Sequence, residues 1–203
     1  MLSAEDSHGA VIKPRLIAAG ADLSMINTVS IRRDGYEDGL WIPDDVSTLR
    51  ATAKKVGAKL IVIDPINAFL PETINSWSDQ SVRRALRPLH EVAEECELSV
   101  VVVMHLNKSK DSNPHRRVGG SIGFEGAARS ALIFGKNPEG IDPNERVLAQ
   151  SKSNYGEYAN SLRFMIDPRE YMSSRGRIET AVNRGWRVFV DCTRSSQGQD
   201  RHW

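Results

Sequence analysis

Several features that define other classes of protein are missing from this chain of 203 residues. It contains two cysteines, Cys96 and Cys192, which are too few for a disulfide framework and have no metal-type partner nearby in sequence. No apolar stretch reaches the roughly 20 residues that a membrane-spanning helix needs. The first residues also lack the basic region and apolar core of a signal peptide. These absences favour a protein of the reducing cytoplasm that has no membrane partner.

An excess of charge of one sign is missing as well. The chain has 27 Lys and Arg against 26 Asp and Glu, a formal net charge of +1. This balance excludes a strongly basic nucleic-acid binder of the histone type, although it leaves room for local basic patches. Hydrophobic content of 40% and charged content of 26% are ordinary for a globular protein. The length fits one large domain, or one domain with an appendage.

A further absence concerns phosphate binding. No segment reads Gly-x-x-x-x-Gly-Lys-Ser/Thr, the loop whose backbone N–H groups cradle nucleotide phosphates. The nearest candidate, Gly135-Lys136-Asn137, lacks the leading glycine and the hydroxyl residue.

Two short apolar runs each end at a polar residue of a type used in catalysis. Residues 59–63 lead into Asp64, and residues 98–104 lead into His105. Apolar runs without alternation are typical of parallel strands that are buried on both faces. Open α/β sheets bind ligands at the carboxyl ends of their strands. The sequence therefore predicts an α/β fold with a mostly parallel sheet and a site at that edge.

The spacing of apolar residues predicts the remaining elements. A helix should begin at an N-cap Asp44 or Asp45, run to about residue 55 and end at Gly57. Residues 79–95 form the longest predicted helix, in which Pro88 should produce a kink or a split. Shorter helices are predicted at 12–19 and 121–129. Strands are predicted at 28–31, 131–134, 147–151, 162–166 and 186–190, and the clustered strands suggest an antiparallel edge.

These elements predict a core over residues 1–167. Residues 168–203 then form a C-terminal extension, whose end (195–203) has a disordered composition.

Three residues are candidates for phosphoryl-transfer chemistry, and each has a plainer interpretation. Asp64 could hold the Mg²⁺ shell or orient water, or it could cap a tight turn, and its motif alone does not decide. Glu5 could act as a general base, although an isolated glutamate is more often just exposed. His105 could sense a γ-phosphate, although a histidine at a strand end more often has only a structural role.

The candidate cations lie in two segments. Arg117-Val118-Gly119-Gly120-Ser121 could bind phosphates of a nucleotide or of DNA, or it could be a flexible linker. Lys152 follows a predicted strand and could reach a neighbouring subunit's site, or it could be a solvated turn lysine. The polar segment 107–117 forms a loop that could bind single-stranded DNA through Lys108, Lys110, Arg116 and Arg117.

Taken together and in this order, these segments resemble RecA-fold ATPases of the branch that contains plasmid RepA-type helicases, close to DnaB-type replicative helicases. The resemblance spans about residues 1–167. It rests on Leu2-Ser3-Ala4-Glu5-Asp6-Ser7 with Pro14-Arg15-Leu16, on Leu60-Ile61-Val62-Ile63-Asp64-Pro65 as the Walker B strand, on Val101 to Lys108 as the sensor strand, on Arg117 to Arg129, and on Ser151-Lys152-Ser153-Asn154-Tyr155-Gly156 as the finger hairpin.

The resemblance implies a role for each residue. Glu5 would be the catalytic glutamate, Asp64 the Walker B aspartate that holds Mg²⁺ through water, and His105 the γ-phosphate sensor. Lys152 would be the finger toward the next protomer, with Arg117 or Arg129 as the second cation. The complete protein would use ATP and Mg²⁺, and it would form a homo-oligomeric ring, expected to be a hexamer.

Two departures qualify this resemblance. Asn154 stands where the helicases commonly have an arginine. The first strand, the phosphate loop and its helix would precede Met1, so a truncated gene is expected and the chain alone should be inactive as an ATPase. The favoured function is a helicase-type ATPase of plasmid or phage replication. The alternatives are a non-catalytic paralogue that caps a ring, and a RecA-fold recombination or regulatory ATPase without unwinding activity.

Overall fold

The computed structural model describes residues 1–33, 36–105, 123–173 and 176–188. Its contacts divide the chain into two compact units. The first unit contains Met1–His8 and Ser24–Ala127, and the second contains Gly9–Leu23 and Ala128–Trp203.

The described helices and strands follow one another along the chain in an order typical of an α/β fold. They are β1 (Leu2–Ser3), a π-helical turn (His8–Ile12), α1 (Lys13–Ala18), a 3-10 turn (Leu23–Met25), β2 (Ile31–Arg33), β3 (Tyr36–Asp38), α2 (Val46–Val56), β4 (Leu60–Asp64), a 3-10 turn (Ile66–Phe69), α3 (Asp79–Glu95), β5 (Ser99–Val102), α4 (Gly123–Ala127), β6 (Ser130–Lys136), β7 (Glu145–Ser153), β8 (Leu162–Ser173) and β9 (Gly176–Val188).

The first unit is built on a parallel sheet in the order β1-β4-β5. The last residue of β4, Asp64, lies opposite Ser3 of β1, and Ile63 lies opposite Val102 of β5. Backbone pairing continues just past the strands. The Ala4 N–H donates to the Asp64 carbonyl at 3.1 Å, and the Val103 N–H donates to the Ile63 carbonyl at 2.9 Å. The predicted parallel sheet is confirmed.

Helix α2 ends as predicted, because Gly57 adopts the left-handed conformation (φ 62°) that favours glycine. Its start differs in detail. Asp45 occupies the N-cap position, but its carboxylate accepts a hydrogen bond from the Trp41 N–H at 2.7 Å and makes no capping bond to the helix. The side chain therefore fixes the segment that enters the helix.

Helix α3 has the predicted bounds, and the Ser78 hydroxyl caps it by accepting from the Ser81 N–H at 3.3 Å. Of the kink or split expected at Pro88, the split does not occur, since the helix continues through the proline. A proline inside a helix removes one backbone hydrogen bond and crowds the carbonyl of the preceding turn, so packing on both sides must offset this cost. Buried side chains anchor α3 on both sides of Pro88, namely Val82, Ala85, Leu86, Leu89 and Val92.

The hydrophobic core lies in the first unit. Its most deeply buried side chains come from β1, β4, α2, α3 and the segments that follow β3 and β4, namely Leu2, Leu40, Ile42, Leu49, Ile63, Ile66, Val82 and Val92. Burial of both strand faces was expected but is wrong for the described residues. Leu60 and Val101 are 53% and 46% exposed, while Ile61 and Ile63 are buried. This alternation shows that one sheet face carries most of the packing.

The second unit contains an antiparallel sheet in the order β6-β7-β8-β9, and α1 packs against β8 and β9. The strands predicted at 131–134, 147–151 and 162–166 are present and longer than expected, and they form a sheet of their own. The strand predicted at 28–31 begins only at Ile31, and that predicted at 186–190 is the end of β9. Residue 167, the expected end of the core, lies inside β8, where cross-strand pairing with β9 continues. The segment 195–203 lies outside the described residues.

Every helix in the described ranges is too short or too polar to cross a membrane.

Two substitutions on β4 test which face of this strand packs in the core. Ile63→Ala should lower the free energy of unfolding by about 2–5 kcal/mol, because Ile63 is fully buried and its removal leaves a cavity. Leu60→Ala, on the same strand but 53% exposed, should cost less than about 1 kcal/mol. Urea unfolding followed by circular dichroism measures both values. Equal losses would contradict the assignment of the core face.

Candidate functional site

Three polar residues lie at the carboxyl edge of the parallel sheet. Asp64 is the last residue of the middle strand β4, Glu5 follows β1 by two residues, and His105 follows β5 by three residues. Because parallel strands end at the same edge of a sheet, these residues share one region of the first unit. Their predicted catalytic roles stay predictions, and the structure shows that all three residues lie at the same edge of the sheet.

The side chains of Glu5 and His105 are in direct contact. The His105 Nε2 atom lies 3.0 Å from the Glu5 Oε2 atom, although the two residues are 100 positions apart in sequence. β1 and β5 flank β4 on opposite sides, so the contact links the two outer strands beyond the end of the middle one. The sequence predicted both residues at this edge but did not predict their bond.

This pair is open to solvent. The side chains of Glu5 and His105 are 58% and 64% exposed. Such a pair contributes little to folding, because water screens its charges and both side chains lose freedom on forming it. A contact of this kind is available for exchange with an incoming ligand.

Asp64 is held at the edge by the buried segment that follows it. The Ile66 N–H donates to the Val103 carbonyl at 3.0 Å, and both Ile66 and Phe69 are buried. The 3-10 turn after Asp64 has Pro65 at its N-cap position and no side-chain capping bond. This does not decide between the two interpretations of Asp64, the turn cap and the ligand of the Mg²⁺ shell. Asp64 is partly exposed at the strand end.

The carboxylates at this edge fit a magnesium ion of the kind found in nucleotide hydrolases. Mg²⁺ keeps several waters and is held by one or two carboxylates together with substrate phosphates. In the described ranges no group of three or more His, Cys, Asp or Glu side chains could form a metal cage. A single strand-end carboxylate such as Asp64 suits the water-mediated binding that the sequence predicted.

The second unit brings two predicted cations together. We expected Lys152 just after a strand. It lies instead within β7, opposite Ala131, because β7 extends to Ser153. Its ammonium donates to the Ala128 carbonyl at 2.9 Å. Arg129 precedes β6, is exposed, and accepts a hydrogen bond at its carbonyl from the Asn154 N–H at 3.0 Å. Lys152 and Arg129 thus lie at the same end of the β6–β7 pair.

The loop after β7 carries features that the sequence analysis missed. The Gln150 amide donates to the Ser130 hydroxyl at 2.8 Å, and its oxygen accepts from the Ala159 N–H at 2.7 Å. These bonds close the base of a loop on which Tyr155 and Tyr158 are 82% and 53% exposed. A polar Gln150 within an apolar strand pattern is the signal that could have indicated this arrangement.

Several predicted binding residues lie outside the described residues. These are Lys108, Lys110 and Arg116 of the proposed DNA-binding loop, and Arg117 of the proposed phosphate-binding loop. Their roles remain predictions from the sequence.

Comparison with known proteins agrees with this geometry. A family model described as an AAA domain matches residues 1–111, more than half of the chain. The chain belongs to this AAA domain family. No curated protein gives a significant match. Among solved structures, the RadB recombinase is similar with a TM-score of 0.50 and 16% identity, over 87% of this chain and 76% of that chain. At this identity the likeness concerns the fold, which is that of a RecA-like ATPase-type domain.

We expect the Glu5–His105 contact in this AAA domain to be dispensable for folding. Glu5→Ala and His105→Ala should each change the free energy of unfolding by less than about 1 kcal/mol, because both side chains are more than half exposed. Ile66→Ala, a fully buried residue near the same edge, should cost about 2–5 kcal/mol and serves as the comparison. Denaturant titration measures all three. A loss above 2 kcal/mol for either exposed residue would show that the pair is a structural element.

Proposed function

We propose that this chain is part of the ATPase domain of a RecA-fold motor that couples ATP hydrolysis to DNA unwinding or translocation in plasmid- or phage-type replication. The observation that carries the hydrolytic part is the meeting of Glu5, Asp64 and His105 at the carboxyl edge of the parallel sheet, with Glu5 and His105 at 3.0 Å. Such an edge is where open α/β sheets bind nucleotides. The cytoplasm is the proposed location.

Each residue has a defined task in this proposal. The Asp64 carboxylate would hold the water shell of Mg²⁺, an ion that would neutralise phosphate charge when bound. The Glu5 carboxylate accepts a proton from the attacking water. The His105 ring donates a hydrogen bond to the terminal phosphate and responds to its loss. All three side chains are at least partly exposed, as substrate access requires.

In the proposed assembly, the cations of the second unit act at the nucleotide site of a neighbouring subunit. A finger residue stabilises the transferring phosphoryl group from across an interface. Lys152 and Arg129 share one end of the β6–β7 pair, so one rigid element carries both charges. Head-to-tail contacts of this type close into rings, and we propose a homohexamer that acts on single-stranded DNA. Asn154 stands beside Lys152 in place of a second finger cation.

A recombination-type ATPase is the second candidate. It is favoured by the structural likeness to a protein described as the RadB recombinase. The two candidates differ in what they do to DNA. A helicase should separate a forked duplex in an ATP-dependent manner, whereas a recombinase should assemble on single-stranded DNA and leave the fork intact. A regulatory ATPase should hydrolyse ATP at a rate that DNA does not change.

We expect Glu5→Gln and Asp64→Asn to affect different steps in the complete gene product that carries these residues. Glu5→Gln should keep ATP affinity and lower turnover by about 10²-fold or more, because it removes a base and preserves shape. Asp64→Asn should also weaken Mg²⁺-dependent ATP binding, since it removes the charge that holds the ion's shell. Calorimetry and phosphate release measure the two quantities.

The matched control is Glu94→Gln, a charge-neutralising change of an exposed glutamate on α3, which should leave both quantities unchanged. If Glu5→Gln hydrolyses ATP at the parental rate, Glu5 is not the base and is only an exposed glutamate.

Lys152→Ala should impair the site of the neighbouring subunit. In the complete gene product we expect nearly unchanged ATP affinity and a fall in turnover of about 10³-fold or more, as for other finger cations. Mixing inactive Lys152→Ala with inactive Glu5→Gln should restore part of the activity, because some interfaces then pair an intact Glu5 with an intact Lys152.

Arg146→Ala, which removes a partly buried cation from the other end of β7, is the control and should not behave in this way. Parental activity of Lys152→Ala would identify Lys152 as an ordinary strand residue. An inactive variant that mixing does not rescue, despite proven co-assembly, would show that Lys152 acts within its own subunit.

A further inference from the structure

Two tyrosines are exposed on the loop that joins β7 to β8. This loop, residues 154–161, follows the end of β7 at Ser153 and enters β8 at Leu162. Tyr155 and Tyr158 are 82% and 53% exposed. A tyrosine ring has a large apolar surface, which folded proteins usually cover at least in part. Two such rings on one short loop therefore mark a surface on which a partner can pack.

The loop is tied to the sheet beside each ring. The Asn154 N–H donates to the Arg129 carbonyl at 3.0 Å, and the Ala159 N–H donates to the Gln150 side-chain oxygen at 2.7 Å. These bonds lie one residue before the first tyrosine and one residue after the second. Between the rings Gly156 has a φ of 143°, a conformation that other residues rarely adopt. A loop that is ordered before binding loses less conformational freedom when a partner arrives.

The end of the sheet from which this loop leaves carries positive charge. Arg129 is exposed just before β6, and Lys152 lies near the end of β7, opposite Ala131. Glu157 is the only acidic residue within the loop itself. Two cations against one carboxylate give this end a field that attracts an anionic partner.

The composition of the loop separates the possible partners. Residues 153–161 contain no Leu, Ile, Val, Met or Phe, so the rings have no large aliphatic neighbours in the loop with which to form the dry centre of a protein interface. Nucleic-acid bases need only the rings, because each base has a flat π-face that stacks on an aromatic side chain. A single strand offers such faces, whereas the bases of a duplex are stacked on one another.

We infer that the loop 154–161 is a binding platform for single-stranded DNA, on which Tyr155 and Tyr158 each stack against a base. The rings carry the site, and Arg129 and Lys152 add attraction of the phosphate backbone through their charge. The platform is separate from the DNA-binding segment 107–117 proposed from the sequence. The inference rests on the proposed single-stranded DNA partner and does not depend on ATP hydrolysis.

The first test measures the affinity of the full chain for a short fluorescent oligothymidine by anisotropy. Tyr155→Ala and Tyr158→Ala should each weaken binding about fivefold or more, the loss expected when one base stack disappears. Tyr155→Phe keeps the ring and should bind like the parent. The matched control is Trp77→Ala, which removes a similarly exposed aromatic side chain (74%) from the turn before α3 and should leave the affinity unchanged.

The second test uses salt to separate stacking from charge. The fold loss caused by Tyr155→Ala should be the same at low and at physiological salt, because stacking releases no counterions. Arg129→Gln should weaken binding mainly at low salt, where charges are poorly screened. Glu157→Gln should strengthen binding, since it removes a charge that repels phosphate. A loss in Tyr155→Ala that vanishes as salt rises would contradict stacking and overturn the inference.

The outcomes separate this inference from the function on which it rests. Parental affinity in both alanine variants overturns the inference and leaves the proposed motor standing, with DNA bound elsewhere. Equal losses in Tyr155→Phe and Tyr155→Ala would assign binding to the hydroxyl and also overturn it. Sedimentation of the same samples detects the remaining alternative. A loss of affinity found only where assembly is lost as well would assign the loop to a subunit interface. If the parent binds no single-stranded DNA, the inference fails together with the proposed DNA partner.

Discussion

The parallel hydrogen bonding of β4 to the strands on both of its sides is the constraint on which the candidate site depends. Through it, Asp64 is opposite Ser3 and Ile63 is opposite Val102. The carboxyl ends of all three strands then coincide, so residues 5, 64 and 105 lie at the same edge despite their separation in sequence. A shift of one residue in this register would turn every side chain of β4 to the other face, so the burial of Ile61 and Ile63 fixes the register.

The dry core extends up to the polar edge. Ile63 and Ile66 are fully buried on either side of Asp64-Pro65, and the Ile66 N–H is bonded to Val103 of the next strand. The backbone on both sides of Asp64 is therefore anchored by buried neighbours. Glu5 and His105 are less firmly held than Asp64, because both follow short strands and have exposed side chains. The edge thus combines one residue whose backbone is firmly held with two exposed side chains.

Local patterns predicted the elements well where one dominant physical signal was present. The bounds of α3 follow from the spacing of Val82, Leu86 and Leu89, and the end of α2 follows from Gly57. The Glu5–His105 bond could not be predicted, because it depends on strand order and register over 100 residues. Lys152 was misplaced for a related reason. The length of β7 is set by its pairing with β6, which extends to Ser153, and a turn-like local sequence does not show this.

The exposure of the site has a consequence for how it can act. Phosphoryl transfer is accelerated by charges that are fixed in a water-excluded site, and charges in open solvent are weakened by screening. Glu5 and His105, both more than half exposed, do not provide such a site by themselves. Under the proposed function, bound nucleotide and a neighbouring protomer would have to supply the cover. A second protomer that delivers Lys152 and Arg129 would exclude water and supply positive charge in one step. In that arrangement assembly would be a condition of catalysis, and an isolated subunit would stay inactive even with every proposed catalytic side chain in place.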